Sequence, residues 1–251
     1  IDNKATNDGG AVYFYGGGTL TNRNFTDNEA TSGNGGTIFF NGFGTVENCN
    51  IVNNTAKYSG AIFMISGSII NCNLTDNKGD GAVFFEVEGT VRNCNFINNS
   101  AVYGTPAIWL YSGSVTNCNF INNTATEGDC GAVFFSMKGT VTNCNFTDNK
   151  ATSGNGGAVY ISVAGSVINC NFVNNTAKYD GGAVYIYNNN RGLTVTVTNS
   201  NFFNNKANNG GAVYFSNNYN HNSTGIVSNS IFNNNNATGN GGAVYFSDYG
   251  E

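Results

Sequence analysis

Hydrophobic residues along the 251-residue chain fall into two short blocks that alternate from one end to the other. The first block reads Gly-Gly-Ala-Val-aromatic-hydrophobic. It occurs ten times, with its third residue at Ala11, Thr37, Ala61, Ala82, Ala107, Ala132, Ala158, Ala183, Ala212 and Ala243. The second reads Gly-Thr-Val-x-Asn-Cys-Asn-Phe-x-x-Asn and occurs nine times, Gly139 to Asn149 being a clear specimen. Successive first blocks lie 26, 24, 21, 25, 25, 26, 25, 29 and 31 residues apart. A fixed period in this range marks a repeat architecture. Val, Ile, Phe, Tyr and Thr fill the blocks and favour strands. Gly, Asn, Asp and Ser separate them and favour turns. The pattern predicts an all-β, single-stranded parallel β-helix (a solenoid) of about 9–10 rungs of ~25 residues. Rungs would stack at ~4.8 Å, because a lone repeat cannot bury its apolar side.

The period of two within a strand decides which side faces inward. In the first block, the Val133-type position is always β-branched and aliphatic, and the Phe135-type position two residues on is always apolar. Both belong inside. In the second block the Val141, Cys144 and Phe146 types belong inside. Val141 and Cys144 are three residues apart, so the chain must bend between them, at Asn143.

That bend is occupied by asparagine in nine units of nine: Asn22, Asn48, Asn71, Asn93, Asn117, Asn143, Asn169, Asn199 and Asn229. A second column is as complete: Asn28, Asn54, Asn77, Asn99, Asn123, Asn149, Asn175, Asn205 and Asn235, with Asn3 as a tenth. Asparagine tolerates left-handed backbone and caps turns with its amide. Stacked copies can also bond from rung to rung. Both columns are expected to be structural ladders.

Gly-Gly-Ala-Val paired with Phe-x-x-Asn resembles the repeat of chlamydial polymorphic membrane proteins. It is also similar to adhesin-like proteins of methanogenic archaea, to which the Asn169 to Ala177 wording is closest. The resemblance covers the whole chain. It implies a right-handed helix, an extracellular or cell-surface location, and, loosely, adhesion. Both motifs describe scaffold, so no binding residue carries over from the family. Ile1 to Ala5 matches Thr26 to Ala30, so residues 1–251 are expected to be one β-helix domain cut from a longer repeat protein.

Six cysteines share one repeat position: Cys49, Cys72, Cys94, Cys118, Cys144 and Cys170. In-register stacking would hold their Cβ atoms near ~4.8 Å, beyond disulfide reach of ~3.5–4.5 Å. No histidine or carboxylate accompanies them in a metal-ligand spacing. They are expected to be a buried thiol column, with no metal. Arg23 in the same column predicts a distorted or terminal first rung. Cys130 replaces a turn glycine and is expected to be more exposed.

Candidate binding residues lie on the outside. Between the two buried columns of the first block, all ten units carry an aromatic residue, Trp109, Tyr160, Tyr185, Tyr214 and Tyr245 among them. Alternation points these rings outward. Either they form a face for sugar rings, a protein or a second rod, or they stack and shield the strand hydrogen bonds. Two insertions, Asn188 to Gly192 and Asn217 to Thr224, follow the same strand in adjacent units and should protrude side by side. They carry Arg191, Tyr219 and the sole histidine, His221. Irregular loops on a regular scaffold are favoured places for function.

Composition removes other classes. Only 10% of residues are charged and 49 are asparagine, yet 40% are hydrophobic, too many for disorder. Net charge is -5, which leaves no basic stripe for nucleic acid. No apolar run reaches the ~18 residues of a membrane span, so this segment is not expected to insert in a membrane. Glu86, Glu88 and Lys138 are the nearest approach to a catalytic set, and they do not converge in sequence as glycoside chemistry requires. Asp8, Asp80, Asp129 and Asp180 offer about one carboxylate per unit, whereas calcium takes 6–8 oxygens. The expectation is a non-enzyme without cofactor: a cell-surface adhesin-like segment that binds glycans or proteins by its aromatic face or loops. The alternative is a purely structural stalk or a filament subunit that joins copies of itself end to end. A polysaccharide-active enzyme is a remote third.

Overall fold

A computed structural model describes residues 1–188, 193–217 and 224–248. One rung shows the plan. A strand at Val159–Ile161 turns into a second at Ala164–Ile168. Asn169 bends the chain into a third strand, Asn171–Val173. Asn174 bends it again into the two-residue strand Thr176–Ala177. A loop then leads to Val184–Asn188, one rung on. In some rungs the first two strands merge, as in Ser59–Ile70 and Gly81–Arg92.

Every pairing between described strands is parallel, and equivalent residues pair rung by rung. Val133, Val159, Val184, Val213 and Val244 form one such row. The walls are a 15-stranded sheet from the first two strands, a nine-stranded sheet from the third, and short strands in three- and six-stranded pieces. Only isolated bridges through Lys78 join those two pieces.

The core follows the alternation. Val133, Phe135, Val141, Cys144 and Phe146 are fully buried, as are their counterparts through most rungs. Phe96, Phe120, Phe146, Phe172, Phe202 and Phe232 stack at 4.7–5.0 Å between ring centroids, with their planes nearly parallel. Two small-residue columns complete it: the Ala158 type and, from the short strands, the Ala151 type.

The two asparagine columns do different work. At the first, Asn22 through Asn229 all have φ between 49° and 56°. Their exposed side-chain amides bond from rung to rung through Asn48, Asn71, Asn93 and Asn117 and again between Asn143 and Asn169, Asn93 Nδ2 donating to Asn71 Oδ1 at 3.1 Å. The second column is buried from Asn28 to Asn205, and it is not left-handed. The left-handed residue is the one before it: Asp2, Asp27, Asn53, Asp76, Asn98, Asn122, Asp148, Asn174, Asn204 and Asn234. This explains why only Asp and Asn occur there. Freed from the bend, the buried asparagines from Asn54 to Asn205 satisfy their whole amides. Asn123 Nδ2 donates to Asn149 Oδ1 at 2.9 Å and to Phe96 O at 3.0 Å. Its Oδ1 accepts from the Asn99 backbone N and Nδ2, at 3.1 and 3.0 Å. Two donors and two acceptor sites are thus filled in a dry interior.

The thiol column is buried as expected, but it is more than filler. Cys118 Sγ accepts the Cys94 backbone N–H at 3.4 Å and donates to Thr116 O at 3.2 Å. It pairs the Cys94 N–H and gives the Thr116 carbonyl, which also accepts from the Asn93 N–H, a second bond. Ser200 does the same, accepting the Cys170 N–H at 3.1 Å and donating to Thr198 O at 2.9 Å. That is why serine can take the position. Arg23, in the first rung, points out to solvent and donates to the carbonyl of Asn22. Cys130 departs from expectation. It is 1% exposed, with Sγ donating to Val133 O at 3.1 Å. Its backbone has left the left-handed conformation that glycine holds at this place, so the side chain turns inward. Burial pushes its thiol up to about 12.

Candidate functional site

The outward aromatic residues do not form an exposed face. From Tyr13 to Tyr245 their rings stack in one column, with centroids 4.2–6.1 Å apart. Phe39, Phe63, Tyr185 and Tyr214 are only 4–8% exposed. Trp109, Tyr160 and Tyr245 are half-buried. The cause is the loop that ends each rung, which packs against the base of the column. A Cβ placed on Gly210 would stand 3.1 Å from the Cβ of Tyr214. Burial accordingly raises the phenols of Tyr160 and Tyr185 above their ordinary range. The expected aromatic face is therefore closed over most of its length. Arg191, Tyr219 and His221 lie outside the described residues.

The covering loops are themselves tied together. Asp8 Oδ1 accepts the Asn34 N–H at 2.7 Å. Asn155 Oδ1 accepts from Asp180 N at 3.1 Å, Asp180 Oδ1 from Asn209 Nδ2 at 2.9 Å, and Asn209 Oδ1 from Asn240 N at 2.8 Å. These carboxylates bind the next rung of the wall. Among the described residues, no three His, Cys, Asp or Glu side chains are grouped to hold a metal ion. Glu88 and Lys138 border one shallow hollow with Tyr111, but no ion pair joins them.

The wall is interrupted at one stretch. Between the buried asparagine and the next Ala-Val strand, other rungs have six to eight residues; Lys78 to Gly81 is only four. Over the same three rungs the Asp/Asn wall residue is gone: Tyr58, at the place of Tyr179, runs straight into Ser59, and Gly79 and Gly104 precede Asp80 and Thr105. The left-handed glycine that follows is replaced by Ser59, Asp80 and Thr105, none of which has positive φ. Gly104 lets the chain lie flat against the rung before it: a Cβ there would fall 1.8 Å from Asp80 O.

A notch of about 530 Å³ results, bordered by Lys57, Tyr58, Lys78, Asp80, Val102 and Tyr103. Tyr58 and Tyr103, on opposite sides of the short rung, are 45% and 70% exposed. The apolar floor includes Ala56 and Ala101. Lys57 Nζ stands 4.9 Å from the centre of the Tyr58 ring. Asp80 Oδ1 accepts the Tyr103 N–H at 3.3 Å. Tyr58 and Asp80 also border a second hollow of about 370 Å³, where Phe84 and Trp109 come to the surface beside Asn34. Of the aromatic column, Trp109 is thus the expected binding residue that the structure places in an opening of this kind.

A family model described as a right handed beta helix region matches residues 1–146 and 66–224. The chain belongs to this right-handed β-helix family. The model of the Chlamydia polymorphic membrane protein repeat matches residues 229–247, the last Gly-Gly-Ala-Val-Tyr-Phe unit and its preceding Asn-x-x-Phe. No curated protein and no solved structure matches the chain in the same comparisons. Within the β-helix family framework, the notch is a local departure from an otherwise kept repeat. Reading insertions as the informative irregularities passes over it. The signal is in the 21-residue spacing between Ala61 and Ala82, which is a deletion.

Proposed function

We propose that this chain is the rod of a surface adhesin-like protein, and that it engages its partner at the notch rather than along the aromatic column. The polymorphic membrane protein repeat supports the surface reading. The observation that carries the engagement is the interruption itself. Three consecutive rungs give up the wall ladder and present Tyr58, Tyr103 and Trp109 around hollows of ligand size. Solvent-facing aromatic side chains grouped on a rigid scaffold are the usual make-up of binding hot spots.

Nothing in this reading needs catalysis, and the repeat is that of a scaffold. Antibody raised against the rod should label intact cells of the source organism, and the soluble rod should bind saturably to target cells or matrix. Tyr58→Ala with Tyr103→Ala should abolish that binding while the far-ultraviolet circular dichroism stays the same. Labelling only after lysis would overturn the surface reading. Surface labelling with no saturable binding would leave a stalk or end-to-end filament subunit in place of the adhesin.

A further inference from the structure

We infer that the notch is a saccharide site selective for sugars that carry a carboxylate, an inference that rests on the adhesin reading and gives its ligand class. Pyranose rings present apolar C–H faces that lie against aromatic rings, and the hydroxyls at their edges seek charged or amide partners. The notch offers both. Tyr58 and Tyr103 flank it on either side of the short rung, with Trp109 and Phe84 in the adjoining hollow. Asp80 supplies oxygen acceptors where the two hollows meet, and Asn34 supplies one in the second hollow. Together the hollows are long enough along the wall for more than one sugar ring, as Tyr103 and Asn34 belong to rungs three apart.

The charge selects among sugars. Lys57 and Lys78 both border the notch and both are exposed. They are two of the ten basic residues in a chain of net charge -5. The chain as a whole is acidic, so these two ammonium groups are what would draw a carboxylate to the notch. Lys57 Nζ lies over the Tyr58 ring, 4.9 Å from its centre, which puts an ammonium beside a sugar seated at that tyrosine.

The protein carries its own reporter. Trp109 is the sole tryptophan and stacks on Phe84 at 4.2 Å. The soluble rod is titrated, with tryptophan emission recorded, against a hyaluronan hexasaccharide, an oligogalacturonate and sialyllactose, each beside a neutral oligosaccharide of equal length. At least one carboxylated sugar should change the emission saturably, and its neutral counterpart should bind about tenfold or more weakly. Tyr58→Ala and Tyr103→Ala should each weaken it by about tenfold, as central aromatic contacts do. Lys57→Gln with Lys78→Gln should remove the preference for the acidic sugar. Tyr179→Ala, at the same repeat position in an uninterrupted stretch, should change nothing. A silent Trp109 across the set, equal response to the neutral sugars, or indifference to Tyr58 and Tyr103 would each overturn the inference. Cell binding that persists in the Tyr58 and Tyr103 variants would sink the site and leave adhesion standing. Sugar binding by a rod that no cell retains would do the reverse.

Discussion

Thr55-Ala56-Lys57-Tyr58 and Thr176-Ala177-Lys178-Tyr179 are the same four residues at corresponding places of two rungs. Their local structure is the same too. Lys57 stands 4.9 Å from the Tyr58 ring and Lys178 stands 5.2 Å from the Tyr179 ring. The tyrosines are 45% and 47% exposed. What differs is the company. After Tyr179 comes Asp180, bonded to Asn155 and Asn209 in the rungs on either side. After Tyr58 comes Ser59, and the next rung crosses the wall in four residues. Only the first tyrosine borders a hollow described above. A local sequence thus fixes local geometry in this fold, while the rungs above and below decide whether that geometry becomes a site.

This contrast holds only if the interruption is confined to the wall and the interior runs on unchanged. The largest test is therefore on the buried ladder. Asn77 follows the first Lys-Tyr pair and Asn205 the second, and their bonding is identical in kind. Changing either to Leu strands the previous asparagine's backbone N–H and amide N–H, and one buried carbonyl. At about 1–3 kcal/mol for each of these three groups, the loss should come to roughly 3–9 kcal/mol. Urea denaturation should give the same loss at both positions within error. A much smaller loss at Asn77 would mean that the short rung is loose inside as well as outside, and the comparison would fail.

The thiol column gives a finer test. Cys170 Sγ donates to Ile168 O at 3.2 Å and accepts from Cys144 N at 3.5 Å. Cys72 has the same pair of bonds, to Ile70 O and from Cys49 N. Replacement by Ser keeps both bonds and should cost under about 1 kcal/mol, as Ser200 already shows the geometry works. Replacement by Ala leaves the buried N–H of Cys144 or Cys49 without a partner, while the carbonyls of Ile168 and Ile70 keep their bonds from the Asn143 and Asn48 N–H groups, and should cost about 1–3 kcal/mol. Equal effects of Ser and Ala would show that the sulfur merely fills space.

These two columns also mark how far the sequence could be read. Periodicity of two, with a recurring three-residue offset between Val141 and Cys144, was enough for the strands, the bend at Asn143, the register and the inner side chains. It was enough because those features repeat, and a repeat averages out local accident. Which of two adjacent residues is left-handed was not legible before Asn149, since Asp148 and Asn149 both suit that conformation. The fate of the outward rings was not legible either. Alternation places a side chain on a face but says nothing of a loop that returns to cover it. For the same reason Cys130, read as a turn residue, was expected outside and lies inside. The notch escaped because it is made by what one rung lacks, and its meaning depends on Tyr103 two rungs from Tyr58.

The wall turn separates the two stretches more directly. Gly181 has φ 65°, and a Cβ there would lie 2.3 Å from Val184 O. Gly181→Ala should cost about 1–2 kcal/mol or more, from the left-handed backbone plus the clash. Ser59 holds the equivalent place with ordinary φ. Its Oγ accepts the Gly35 N–H at 3.1 Å, so Ser59→Gly should be destabilising and should not rebuild the wall. Thermal unfolding of the two variants checks this. A stabilised Ser59→Gly would show that the interruption is an accident of composition, without a structure of its own.

The smallest effect concerns Asp180, the carboxylate in the uninterrupted wall. Burial raises its pKa, and the bonds from Asn209 work against that rise. The sign follows from proton counting. A carboxyl with a raised folded pKa binds more protons folded than unfolded between the two values, so stability falls as pH climbs through that window. Its favourable contribution is complete below the unfolded pKa of ~3.9 and is lost as pH rises through the folded one. Asn155, Asn209 and Asn240 show that the wall accepts an uncharged amide at this position. Asp180→Asn should therefore be neutral near pH 3.5 relative to the parent and slightly stabilising at pH 7, as read from the difference in urea midpoints. A variant that loses stability at pH 7 would mean that the ionised carboxylate, with its bond from Asn209, holds the wall closed. Charge on the wall, beyond the length of the loop, would then distinguish the Tyr179 stretch from the Tyr58 stretch.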